Sequence, residues 1–246
     1  MLCRIADIIT EIPAESGICP LCREYEIKEG EPEIVIRPER YRPENWPGIR
    51  QEDVGYMESG QQFYWALLRH GGFMLHAGCI VINGEALLFS GNCGYGKSTH
   101  LALMKKYYGG EIINDDKPAI RKVGGLWRAY GTPWSGKNHE NINVSAPIKA
   151  VIFLDRKREK NELKPLKPIE ALPHLLDGTT TNILPQSMER LLSYADDFLT
   201  SVPCYLLESL ADKGAAERSA AALRSYKLQA ASCKETGSGL TGRKNS

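Results

Sequence analysis

The chain has 246 residues, with 31 Lys plus Arg against 30 Asp plus Glu and 42% apolar residues, the balance of a chain that folds around a core. A net charge of +1 gives no field for holding a polyanion, so generic nucleic-acid binding is excluded. No apolar run approaches the ~18 residues of a spanning helix, MLCRIADIITE has no signal-peptide core, and seven irregularly spaced cysteines require no disulfide framework; the reading is cytoplasmic, with no membrane partner.

The first sixty residues carry short apolar stretches, Ile5–Ile12 and Ile34–Ile36, between Pro13, Pro20, Pro32, Pro38, Pro43 and Pro47. They predict a few strands in a small β-rich N-terminal layer over 1–60. Within it, Cys19-Pro-Leu-Cys22 has no second pair to complete the roughly four ligands of a structural zinc site, and it reads as filler. The main domain follows over 61–231. Gln61–Arg69 predicts a short amphipathic helix, and Phe73–Leu75 and Gly78–Ile82 predict strands. Asn83-Gly84 is a two-residue hairpin signal leading into the strand Glu85–Ser90. Thr99–Tyr108 predicts a helix and Glu111–Ile113 a strand. Ala119–Lys122 and Leu126–Tyr130 predict a hairpin around Gly124-Gly125. Ile148–Leu154 reads as a buried strand closed by the charged run Asp155–Lys160. Pro168–Leu176 and Ser187–Leu199 predict helices, Cys204–Leu207 a last strand, and Ala211–Gln229 an Ala-rich helix. The Ser, Gly, Thr and Lys composition of 232–246 predicts a disordered tail. Strands alternating with helices make the fold class α/β, with mixed β-sheets and flanking helices.

The sharpest motif is Gly91-Asn92-Cys93-Gly94-Tyr95-Gly96-Lys97-Ser98, a full match to GxxxxGK[ST]. Its glycines allow backbone N–H groups to converge on a phosphate, and the helix that follows adds its positive end. Lys97 can reach the β/γ oxygens, the Ser98 hydroxyl can ligate Mg²⁺, and Thr99 opens the helix. An apolar strand directly before the match and a helix directly after it are the context that a P-loop requires. ATP and Mg²⁺ are the expected cofactors.

Phosphoryl transfer to a hydroxyl also needs a metal carboxylate and a base. Asp115-Asp116 supplies both at the end of Glu111–Ile113, and a strand ending beside the P-loop strand would bring the pair to the carboxyl edge of the sheet. Neighbouring carboxylates on extended backbone point apart, so one can face Mg²⁺ and the other the acceptor. The loop Gly131-Thr-Pro-Trp-Ser135-Gly136-Lys137-Asn has small residues that let backbone approach a substrate, and Lys137 could reach the transferring phosphate. His76, alone among apolar neighbours, reads from the residues as a core histidine.

The order Leu75-His76-Ala77, Gly91–Ser98, Asn114-Asp115-Asp116 resembles the HPr kinase/phosphorylase family, whose catalytic domain shares a P-loop fold with the phosphoenolpyruvate carboxykinases. FMLHA, GKSTH, NDDKPAI and YGTPWSGK are similar to bacterial HPr kinase-like proteins often labelled as phosphoenolpyruvate carboxykinases, from Arg4 to about residue 210. The resemblance implies that Gly91–Ser98 bind nucleotide phosphates, Asp115 takes the acceptor proton, Asp116 sits by the metal, and His76 is an active-site histidine. Asn141-Ile-Asn-Val144 resembles the end of that family's signature, without the arginine and glycines that precede it there. The expected activity is an ATP-dependent kinase acting on a hydroxyl, with a serine of a protein or peptide as acceptor. A small carboxykinase-like metabolite phosphotransferase, or an ATP-binding switch with incidental hydrolysis, are the alternatives. Self-association into a homo-oligomer is compatible with each.

Overall fold

The computed structural model describes residues 1–40, 42–45, 47–155, 159–179 and 185–224. The expected tail at 232–246, the end of the last predicted helix at 225–229, and 156–158 of the charged run lie outside the described residues.

Three strands, β1 (Leu2–Ile5), β2 (Ile8–Glu11) and β3 (Ile34–Val35), form a small sheet in the order β1-β2-β3. Helix α1 (Gln51–Leu67) follows, and a short 3-10 turn, Leu68–His70, leads from it into the main sheet. The N-terminal sheet and α1 share one apolar cluster that includes Ile5, Ile8, Tyr25, Phe63, Tyr64 and Trp134. The helix begins ten residues before the predicted Gln61. Gly55 and Gly60 weaken the helical pattern there, and Gly60 is demanded by packing, since a Cβ at that position would meet the Trp134 ring at 2.8 Å. Cys19 and Cys22 lie in a 3-10 helix, Cys19–Tyr25, with Cys22 buried in this cluster beside Cys3.

The main sheet contains nine strands: β4 (Gly72–Met74), β5 (Ala77–Ile82), β6 (Glu85–Ser90), β7 (Glu111–Asn114), β8 (Ala119–Val123), β9 (Leu126–Tyr130), β10 (Ser145–Leu154), β11 (Glu162–Leu166) and β12 (Cys204–Glu208). Its path runs β4-β8-β9-β10-β6-β5-β7, with β12 pairing β10 and β11 pairing β12. Strand β10 serves two ladders. Ser145–Pro147 pair antiparallel with β9, and the residues from Ile148 on lie between β6 and β12, parallel to both. Both predicted tight hairpins form, with Asn83-Gly84 and Gly124-Gly125 all at positive φ, the twist-matching turn. Strand β11 carries no strand pattern in the sequence because Glu162, Lys164 and Pro165 break its apolar run; among the described residues it pairs with β12 alone, an edge position that tolerates a proline.

Alternation along the central strands divides the core. Leu87 and Phe89 of β6, with Ala150 and Ile152 of β10, face the cluster that contains Leu101 and Met104 of α2 (Lys97–Tyr108) and Ala216 and Ala220 of α5 (Lys213–Arg224). Leu88, Val151 and Phe153 face the other cluster, with Leu175 of α3 (Pro168–Asp177) and Phe198 of α4 (Pro185–Ser201). The result is a sheet between two helical layers. Helix α5 starts two residues after the predicted Ala211 because Ala211 sits at φ 56, and the Asp212 carboxylate accepts the Ala215 N–H at 3.1 Å as a cap. Among the described residues no helix is long and apolar enough to cross a membrane.

Candidate active site

Strands β6 and β7 run in the same direction, and β5 lies between them, antiparallel to both. The acid pair is therefore one strand farther from the glycine loop than the sequence alone suggested. The intervening strand is useful. Because β5 runs the other way, its first residue Ala77 pairs with Ser90, and His76 lies at the same edge as the carboxyl ends of β6 and β7. The His76 backbone is held on two sides: its N–H donates to Gly178 O at 2.6 Å, and its carbonyl accepts from Ser90 Oγ at 3.1 Å.

The loop from Gly91 to Gly96 joins β6 to α2, with Gly91, Gly94 and Gly96 at φ 155, 81 and 98. Positive φ at these positions is open to glycine and strained for other residues. Asn92, Cys93 and Gly94 are exposed, and Tyr95 is half-buried with its N–H bonded to Asn92 O at 3.1 Å. Lys97 is only 8% exposed, and its ammonium donates to Gly91 O at 2.8 Å, so the lysine folds back across its own loop. Burial lowers its pKa, and the Asp116 carboxylate opposes that effect. Ser98 and Thr99 are exposed on the first turn of α2. Behind the loop, the buried His100 ring links Gly96 O (2.8 Å) to Ser209 Oγ (2.9 Å).

At the end of β7, Asn114 organises a turn. Its side-chain oxygen accepts the N–H groups of Asp116 (2.9 Å) and Lys117 (2.6 Å), while its amide donates to Thr132 O at 3.0 Å. This turn sends the two aspartates to different partners. The Asp116 carboxylate meets His76 Nε2 at 2.9 Å and Lys117 Nζ at 2.5 Å. Burial would push its pKa up, but the His76 hydrogen bond and the Lys117 ammonium hold it well below the usual carboxylate range. Asp115 is 5% exposed, and its carboxylate accepts the Gly136 N–H. Burial raises its pKa, Asp116 adds to the rise, and the Gly136 bond opposes it. One carboxylate is thus held ionised and its neighbour is biased toward the proton, the separation of environments that acid–base chemistry uses.

The loop after β9 contributes from the other side. Gly136 approaches so closely that a Cβ would lie 2.9 Å from the Asp115 carboxylate. Ser135 is buried; its hydroxyl accepts from Asn141 Nδ2 at 2.9 Å and its carbonyl from Tyr56 OH at 2.6 Å. Lys137 is exposed on the same loop. The structure brings His76, Lys97, Asp115, Asp116, Ser135 and Gly136 to one edge of the sheet. Tyr56, Lys117 and Asn114 were given no role in the sequence reading. An Asn followed by two acids and a Lys at a strand end carried the turn signal; Tyr56, far away in sequence, carried none.

No protein-family model matches the chain, and no curated protein matches it in sequence. Among solved structures the chain is similar to the Hpr(Ser) kinase/phosphatase from Coxiella burnetii, at 13% identity and a TM-score of 0.37, over 66% of this chain and 95% of that one. At this level no residue's role follows from the likeness.

Proposed function

We propose that the protein transfers the γ-phosphoryl group of ATP to a hydroxyl, with a serine of a protein or peptide as acceptor. One juxtaposition carries the reading: a strand–glycine loop–helix with a buried lysine shares a sheet edge with two aspartates in different settings, Asp116 paired with His76 and Lys117 and Asp115 buried against the Gly136 N–H.

The residues suit a bound nucleotide. Positive φ at the loop's glycines is the backbone conformation that turns N–H groups toward a phosphate, and Gly94 has open space where a Cβ would sit. Lys97 would exchange Gly91 O for a phosphate oxygen. The exposed Ser98 hydroxyl and the ionised Asp116 are hard oxygen donors, the small set that a Mg²⁺ carried by phosphates draws from a protein; such an ion would neutralise charge on the phosphates. No group of three or more His, Cys, Asp or Glu among the described residues could hold a metal without the nucleotide.

In the reaction, Asp115 accepts the proton of the acceptor hydroxyl, the oxygen attacks the γ-phosphorus, and the bond to the β-phosphate oxygen breaks, leaving ADP. Lys97 stabilises charge on the transferring group. His76 fixes Asp116 in orientation and ionisation, and the Gly136 N–H fixes Asp115.

The test is incubation with γ-labelled ATP, Mg²⁺ and serine, short peptides or HPr, followed by separation of the labelled products. Label on a peptide or protein serine is the expected result. Label on a small metabolite alone would favour the metabolite phosphotransferase, and label released only as inorganic phosphate would favour the switch.

A further inference from the structure

Beside the acid pair lies a hollow of about 180 Å³ lined by Tyr56, Met57, Gln61, Tyr64, Met74, Lys117 and Trp134. It falls below the roughly 300 Å³ at which sites for drug-sized ligands begin, so it suits one large side chain and not a nucleotide. Its polar tips are already used. Tyr56 OH donates to Ser135 O, Tyr64 OH donates to Lys117 O at 2.5 Å, and Trp134 Nε1 donates to Ser59 Oγ at 3.1 Å. The Lys117 ammonium is drawn out to Asp116, which leaves its aliphatic stem on the wall. What faces the cavity is therefore mostly aromatic ring, thioether and methylene, with the Gln61 side chain as the polar member of the wall.

We propose that this hollow receives an aromatic or large aliphatic side chain adjacent to the acceptor serine, so that the protein's substrate is a peptide segment with a bulky apolar residue beside its phosphorylated hydroxyl. The inference rests on the phosphoryl-transfer reading above. Continuity with the acid pair selects this occupant. Lys117 and Tyr56 belong to both places: Lys117 bonds Asp116, and Tyr56 holds the loop whose next residue, Gly136, bonds Asp115. A hydroxyl at Asp115 and an apolar group in the hollow are then neighbours on one short chain. Charge neutralisation of Lys117 by Asp116 removes any preference for an acidic residue there.

The experiment compares acetylated, amidated peptides Ala-Ala-Ser-Phe-Ala, Ala-Phe-Ser-Ala-Ala and Ala-Ala-Ser-Ala-Ala as acceptors from γ-labelled ATP. At least one Phe peptide should exceed the all-Ala peptide roughly tenfold or more in kcat/KM. In Met57→Trp, where an indole fills the hollow, that ratio should collapse toward one. Because the ratio is taken within each protein, a general loss of activity cancels. Equal transfer to all three peptides by the unaltered protein would overturn the pocket and leave the kinase reading intact. Failure to bind or turn over ATP at all would strike the kinase reading itself. A binding measurement keeps the two apart: with ¹³C-methyl methionine, the Phe peptide should shift Met57 and Met74 but not Met104 and Met188, which lie on α2 and α4. Such shifts sustain the pocket even if no label is transferred; their absence overturns it even if label is.

Discussion

Between Ser90 and Lys97 the chain turns on glycines, with exposed Asn92 and Cys93 and a lysine bonded to the loop's own carbonyl, whereas between Asn114 and Lys117 it turns on buried or half-buried side chains that bond one another and the neighbouring loop. The first loop is shaped by its backbone, and on the proposed reading a ligand completes it. The second is finished in advance, with the turn amide, both carboxylates and the following lysine held from three directions. On the proposed function, ligand-induced adjustment would belong to the phosphate side, and pre-organised charge, which carries no reorganisation cost at the moment of reaction, to the acceptor side.

The largest expected effect lies on the pre-organised side. Asp115→Asn keeps an oxygen to accept from Gly136 but removes the base, so transfer should fall by roughly 10²–10⁴-fold while nucleotide affinity, measured by titration calorimetry, changes little. The acid limb of the pH–rate profile should lie above the ordinary aspartate value of about 3.9, because burial raises Asp115's pKa, and should disappear in the variant. The signs differ for stability. Asp115, with its folded pKa raised, costs stability as pH rises from the unfolded value through the folded one. Asp116, with its folded pKa lowered, contributes stability that is complete above the ordinary aspartate range and is lost as pH falls below it.

Lys97→Ala comes next. Removing one fixed donor to developing phosphate charge should lower turnover by roughly 10²–10³-fold, with the far-ultraviolet circular dichroism unchanged because the lysine's one bond is to its own loop. A loss of structure in this variant would show that the loop is not the independent cradle described. Asn114→Ala should instead act through folding. It strands the Asp116 and Lys117 N–H groups and should cost roughly 1–3 kcal/mol, seen as a lower urea midpoint at unchanged m-value. The smallest effect belongs to Gly94→Ala, where open space but φ 81 sets a strain of about 1 kcal/mol. Nucleotide affinity should drop by less than tenfold, with stability nearly as before.

The same contrast explains what could be read from the sequence. The glycine loop was legible because its residues are contiguous and its structure is local: strand, GxxxxGK[ST] and helix occur where the pattern places them. The aspartates were legible as a pair. Their different partners were not, since those partners, His76, Lys117 and Gly136, converge from the residue before β5, the turn itself and the loop after β9. Strand order was also hidden, because hydrophobic alternation marks a strand without naming its neighbours, and β5 enters between β6 and β7. The early start of α1 was concealed by Gly60, a helix-weakening residue that a tryptophan 74 positions away makes necessary.

The bridge from His100 to Ser209 also has a consequence in time. The two residues are 109 positions apart, so on the ribosome, at about 5–20 residues per second, the glycine loop emerges on the order of 5–20 s before the serine that braces it. For the first half of that interval β6 also lacks β10 at its side, and throughout it the imidazole lacks the Ser209 hydroxyl. The nascent chain thus carries the glycine loop without its rear support, and the loop reaches its final form only once synthesis has passed Ser209.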